Sequence, residues 1–220
     1  MKKYLLFFFT LLFIAAPLCA DEAENHILKG GQYVQAKDFK KAVKEYEAAL
    51  SVDPKNTKAN LLLGLTYAAL EDLDNAIRYS SKAVELQPSY ISYSNLGLVY
   101  AYRTDYDKAA QNYEKALEIN PKSFQGWYQL GKVYFTEGNF SKAIKAYDEA
   151  VQLNPKFGEA YQGLGSAYYW SGDKGSAVKQ VAEMKRMKLN EKAEQLQNWI
   201  NDKEAKKNQT APPAVPAPKN

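Results

Sequence analysis

Apolar residues recur along this chain at helical spacing, in stretches that a proline closes every 33 or 34 residues. Pro54, Pro88, Pro121 and Pro155 lie 34, 33 and 34 positions apart. Each follows Asp, Gln or Asn and ends a run such as Ala-Leu-Ser-Val-Asp-Pro or Ala-Leu-Glu-Ile-Asn-Pro. Proline has no N–H to donate and biases the residue before it away from helix, so each run reads as a helix that stops there. A fixed period of this length predicts an array of small repeated units.

A second series keeps the same step. Gly30, Gly64, Gly97, Gly131 and Gly165 recur, the last four after Leu63, Leu96, Leu130 and Leu164. Three residues beyond each glycine stands Tyr33, Tyr67, Tyr100, Tyr134 or Tyr168. Twelve beyond stands Ala42, Ala76, Ala109, Ala143 or Ala177. Ala49, Ala83, Ala116 and Ala150 follow seven further on. Glycine inside a helix costs about 1 kcal/mol against alanine, so five in register call for a steric reason. Small residues twelve positions apart would let two antiparallel helices approach closely. Between the two helices of each unit stands Asp38, Asp72, Asp105, Asn139 or Asp173, placed to accept from the free N–H groups of the second helix. Phe39, Leu73, Tyr106 and Phe140 follow and are expected to plug the joint. Asn56, Ser89 and Ser123 are the expected caps of first helices.

Trp127, Leu130-Gly131, Tyr134, Ala143, Tyr147, Ala150 and Pro155 together resemble a full tetratricopeptide repeat signature. The other units keep most of it, with Tyr93 and Tyr161 at the aromatic position. The first departs at His26 and Lys29, and the second carries Asn60 and Ser80 at apolar positions. The fifth has Val181 and Met184 and no closing proline. The resemblance implies an all-α fold, a right-handed superhelical solenoid of five antiparallel helix pairs. The units are 23–56, 57–89, 90–123, 124–157 and 158–191. Weaker terminal units fit an array whose ends meet water.

Leu189, Ala193, Leu196 and Ile200 fall at helical spacing beside Trp199, which predicts a C-terminal capping helix over 192–205. Residues 206–220, rich in Lys, Pro and Ala, are too poor in apolar area to order themselves and are expected to form a solvated tail.

The first helices carry a second stripe, offset from the signature. In tetratricopeptide arrays, the resemblance implies, that stripe lines a concave groove. Here it reads Ile27 and Val34, then Leu61 and Leu65, then Ile91, Leu98 and Tyr102, then Tyr128, Lys132 and Phe135, then Tyr169 and Trp170. A solvated face would be charged, whereas this one is mainly apolar and aromatic, the composition of an interface core. Packing between neighbouring first helices is expected to absorb part of it. The aromatic residues of units three to five are large enough to project further, and Lys132 could meet a carboxylate. Some relatives clamp a terminal carboxylate with Lys, Asn and Arg on this stripe. Ile27 and Gly31 occupy the clamp positions of the first unit, and Lys58, Asn95 and Lys132 are too scattered to rebuild it.

The N-terminal residues read differently. Lys2 and Lys3 precede an apolar run from Tyr4 to Leu18, and Asp21 and Glu22 follow Ala20. That is the order of a secretory signal peptide, 1–20, cut after Ala20. The run of about fifteen residues is shorter than the roughly 20 a spanning helix needs. Cys19 either leaves with the signal, so that the mature protein is cysteine-free, or is a site of lipid attachment, and an uncleaved anchor is a third alternative. The cleaved signal points to an exported protein, periplasmic or secreted, with lipid anchoring through Cys19 as the alternative.

Charge and composition narrow the function. The net charge is +4 and falls to about +2 without Lys2 and Lys3, which argues against a dedicated nucleic-acid binder. One His and one Cys make a zinc or disulfide framework unworkable. No catalytic constellation is visible, and His26 alone assembles neither a triad nor a metal site. Asn139-Phe140-Ser141 and Asn208-Gln209-Thr210 match a glycosylation acceptor pattern that is common by chance. The reading is a binding scaffold for a protein or peptide segment, without cofactor, metal or enzyme activity. Two alternatives are a self-assembling structural repeat protein and an accessory subunit of an envelope enzyme or cytochrome-maturation machine.

Overall fold

The computed structural model describes residues 21–210. Regular structure among them is helical throughout. The helices are α1 (21–35), α2 (Phe39–Val52), α3 (Thr57–Ala69), α4 (Leu73–Leu86), α5 (Tyr90–Tyr102) and α6 (Tyr106–Ile119). They continue as α7 (Phe124–Glu137), α8 (Phe140–Leu153), α9 (Gly158–Trp170), α10 (Lys174–Arg186) and α11 (Asn190–Thr210). The expected signal segment with Cys19, and the tail beyond Thr210, lie outside the described residues. The expected capping helix lies within α11. Residues 206–210, expected as tail, instead continue that helix. Lys206 pairs with Asp202 one turn earlier at 2.8 Å, and extending a nucleated helix fixes only one residue per new bond.

The expected caps form. Asp38, Asp72, Asp105, Asn139 and Asp173 each accept from the N–H three residues on. Asn56, Ser89 and Ser123 do the same at the starts of α3, α5 and α7. Phe157, before α9, makes no side-chain cap bond. Just ahead of each of the five caps between paired helices, one residue adopts a left-handed backbone: Lys37, Glu71, Thr104, Gly138 and Gly172. Lys188 repeats that conformation between α10 and α11. Its N–H bonds to Lys185 O at 3.0 Å and Leu189 N–H to Met184 O at 2.8 Å, the pattern of the Thr104 turn. The α10–α11 connection therefore copies the turn within a pair, not the proline turn between pairs.

The described residues divide into two compact units, one ending at Pro121 and the other beginning at Lys122. In the first, α3 pairs with α4 and α5 with α6, while α3 packs on α2 and α5 on α4 and α3. In the second, α7 pairs with α8 and α9 with α10. There α9 packs on α8 and α7, and α11 covers α9 and α10. The alanine series is the floor of both cores, with Ala42, Ala76, Ala109, Ala143 and Ala177 wholly buried.

Close approach at the glycines has a partner the sequence reading did not name. A β-carbon on Gly131 would lie 2.7 Å from the Tyr147 ring, and one on Gly97 3.1 Å from the Tyr113 ring. Gly30 faces Tyr46 and Gly64 faces Ser80 in the same way. The tight neighbour is thus the residue sixteen positions on. The alanine at twelve contributes its carbonyl, 3.2 Å from such a β-carbon at Gly64 and Gly97. At Gly165 the tight neighbour is Leu196 of α11, at 2.6 Å.

Candidate functional site

The stripe residues meet different fates, each set by what packs beside it. In the first unit, Ile27 is buried at 3% exposure in the cluster of Val43, Tyr46 and Leu63. It belongs to the core and not to a free face, because α1 leans directly on α2. Leu61 and Leu65 are half-buried on α3. On α5, Ile91 and Tyr102 are 60% and 61% exposed, with half-buried Leu98 between them. Three helical turns separate Ile91 from Tyr102, so all three lie on one face. Leu28, next to Ile27, is 61% exposed and was missed by the stripe reading. Its signal was available: it follows a stripe position as Leu62 follows Leu61.

In the second unit the aromatic residues are mostly engaged with one another. Tyr128 meets Phe157 edge-on at 4.9 Å and tilts toward Tyr147 at 5.8 Å. Phe157 also takes Phe124 at 5.1 Å, which accounts for an aromatic residue where α3, α5 and α7 have a cap. Lys132 is exposed, its ammonium 5.7 Å from the Tyr128 ring centre. Phe135 is half-buried and meets Phe140 at 5.5 Å, the joint plug expected of Phe140.

Tyr169 and Trp170 are neighbours with opposite exposures. Tyr169 is buried, its ring 5.2 Å from Trp199 of α11. Its hydroxyl donates to Glu204 Oε1 at 2.6 Å, and that bond, with burial, pushes the phenol up to about 12. Tyr169 therefore fastens α11 and offers no free face. Trp170 is 49% exposed. Lys203 lies 5.6 Å from its ring and 5.8 Å from that of Trp199, a cation held against two indoles. Trp170 also borders an open cleft of about 620 Å³, shared with Glu137, Asn139, Phe140 and Ser171. Asn139 spends its side chain on the cap of α8.

His26 binds Glu45 at 2.6 Å and ties α1 to α2. Among the described residues no group of three or more His, Cys, Asp or Glu side chains is placed to hold a metal ion. No described helix is long and apolar enough to cross a membrane. The arrangement can bind apolar and aromatic side chains on Ile91, Leu98 and Tyr102 in one unit, and on Trp170 with Lys203 in the other.

Sequence profiles for the tetratricopeptide repeat match residues 56–122, 94–156 and 134–200, and a TPR repeat profile matches 30–71. A crystal structure of MamA is 30% identical, covers 80% of this chain and 96% of its own, and superposes with a TM-score of 0.64. A second crystal structure of MamA protein is 28% identical over 90% of this chain and 100% of its own, with a TM-score of 0.66. YrrB, described as a TPR protein with an unusual peptide-binding site, shares the fold at 18% identity. It covers 81% of this chain and 93% of its own, with a TM-score of 0.64. None of the curated proteins matches the chain.

Proposed function

Because the chain belongs to the tetratricopeptide repeat family, we propose that it is a non-catalytic, extracytoplasmic scaffold that holds a segment of a protein partner on the exposed faces of its first helices. The observation that carries this reading is the placing of large apolar side chains in water. Ile91 and Tyr102 are more than half exposed and Trp170 just under half. Aromatic residues bring large contact area at low entropy cost and dominate binding hot spots. The peptide-binding site ascribed to YrrB supports the same use of this fold. The basic, apolar, small-residue order of residues 1–20 supports export, and assembly of an envelope complex is the simplest task for such a scaffold.

The test uses the exported protein with a photo-crosslinking residue in place of Tyr102 or Trp170, one at a time. A partner peptide crosslinked from either position is then synthesised and titrated calorimetrically. Tyr102→Ala with Trp170→Ala should leave helicity intact and weaken binding by at least about 2 kcal/mol. Undiminished affinity in the folded double variant would move the site off these faces.

A further inference from the structure

At every pair but the last, the residue thirteen positions after the signature glycine is apolar and covered. Val43 and Ala110 are 9% and 7% exposed, and Ile77 and Ile144 are half-buried. Val43 packs in one cluster with Ala59 and Leu63 of the following first helix, α3. Ile77 packs against the cluster of Ala68, Ala76 and Val99, the last of them on α5. In the first two pairs this position thus joins a cluster with the next first helix in line. In the fifth pair the same residue is Val178, and it stays 46% exposed. The helix that follows, α11, arrives through the Lys188 turn instead of a proline turn. It buries Ala193, Leu196 and Ile200 yet leaves Val178 open.

The electrostatics of that face also depart from the other pairs. The outer faces of α2, α4 and α6 alternate sign, as in Lys44 with Glu47, Arg78 with Asp74 and Lys115 with Glu114. On α10 the one carboxylate is Glu183, and Arg186 binds it at 3.0 Å. Lys174 and Lys192 are paired with Glu204 and Glu159. Lys179 and Lys185 are exposed and stand outside these pairs. Val178, Ala182 and Lys185 follow at helical spacing, so small apolar and cationic side chains share one exposed face. Lys185 also borders an open groove of about 450 Å³ between α10 and α11, whose far side carries Glu194.

We infer that the outer face of α10 is a second docking surface, which takes an acidic amphipathic helix from a protein partner. The helix sets small apolar residues over Val178 and Ala182, as α3 does over Val43 in the first pair. Its carboxylates meet Lys179 and Lys185, and Glu194 repels acidic residues at the groove end. One valine and one alanine are too little apolar area to anchor a membrane surface, which favours the helix over lipid. The surface uses neither Tyr102 nor Trp170, so either reading can fail without the other.

The probe is a synthetic helical peptide of about sixteen residues with Ala and Val on one face and Glu flanking it, long enough to fold on contact. Fluorescence titration against the full chain should show saturable binding that weakens about tenfold in the Lys179→Glu, Lys185→Glu variant. Val178→Glu should weaken it as well, while Trp170→Ala should not. A lysine version of the peptide should not bind. Absence of saturable binding to the wild-type chain overturns the proposal. So does equal binding by the charge-reversed variant, or loss of binding in Trp170→Ala. Two further results overturn it in favour of another occupant. One is stronger capture by phosphatidylglycerol vesicles than by the peptide, and the other is self-association that Lys179→Glu, Lys185→Glu abolishes.

Discussion

The ring of Tyr147 lies against the backbone of Gly131, so close that a β-carbon there would come within 2.7 Å of it. Gly163 presses on the same ring from α9, with its own β-carbon position 2.6 Å away. Tyr147 is 3% exposed, and burial pushes its phenol up from its ordinary value. Two glycines from consecutive first helices thus form the slot that one aromatic ring fills.

Gly131→Ala should therefore lower stability even though alanine is the better helix former. Overpacking of this kind costs about 1–3 kcal/mol, against the ~1 kcal/mol that alanine gains in a helix. Gly31→Ala is the matched control, since nothing lies within 4 Å of a β-carbon there. It should raise stability by up to about 1 kcal/mol. Urea denaturation of the two variants gives both signs. A higher midpoint for Gly131→Ala would mean that the Tyr147 ring yields freely.

Ser80 stands where Tyr46, Tyr113 and Tyr147 stand in neighbouring pairs. It is wholly buried, and its hydroxyl finds no hydrogen-bond partner. An unsatisfied buried polar group costs about 1–3 kcal/mol. Ser80→Ala should raise the denaturation midpoint, by about 1 kcal/mol in stability once the small cavity term is counted. A fall of similar size would show that the hydroxyl is satisfied in solution.

Acid should loosen the array at its caps. Hydrogen bonds from the Lys41, Asn75 and Lys108 side chains hold Asp38, Asp72 and Asp105 below the ordinary 3.8, and the Ser176 N–H does so for Asp173. A depressed folded value means stability that is full above the unfolded value and lost as pH falls through the folded one. The loss should begin below about pH 4. Changing all four to Asn, the residue nature uses at Asn139, should flatten stability against pH in that range and alter it little at pH 7. Chemical denaturation at a series of pH values reads the slope. Tyr67 and Tyr169, both pushed up to about 12, give the opposite limb. Their contribution is complete below about pH 10 and is lost as pH rises toward 12.

The repeat fold was legible because sterics repeat. Each glycine, alanine, cap and proline answers a demand of the helix pair, and the demand recurs every 33 or 34 residues. The candidate faces were less legible, because one stripe serves two purposes. Ile27 and Tyr169 occupy stripe positions yet are buried, the first by α2 and the second by α11. Nothing in their spacing separates them from Ile91 or Trp170. The Lys188 turn was hidden too, since Lys37, Glu71, Thr104 and Lys188 take the left-handed conformation without the glycine that would announce it. That turn decides where α11 lies, and hence that Tyr169 is covered while Val178 is not.

The role of α11 yields the last prediction. Ala193, Leu196 and Ile200 are at most 4% exposed, and Leu196 sits over Gly165 where the earlier pairs place a tyrosine or serine of their own second helix. Glu204 binds both the Tyr169 hydroxyl and Lys174, so the helix is fastened along its length. Ending the chain after Leu189 should expose Gly165, Leu164 and the Tyr169 ring as one apolar patch and promote association. Leu196→Ala keeps α11 but removes the contact over Gly165, and should cost about 2–5 kcal/mol as a buried large-to-small change. Trp199→Ala removes a half-buried ring and should cost less than Leu196→Ala. Thermal melts of the three variants, with sedimentation velocity on the truncated chain, give the comparison. If the truncated chain stayed monomeric and melted as the full one does, the fifth pair would be self-sufficient. Leu196→Ala would then have to be nearly neutral as well, a result that its burial over Gly165 argues against.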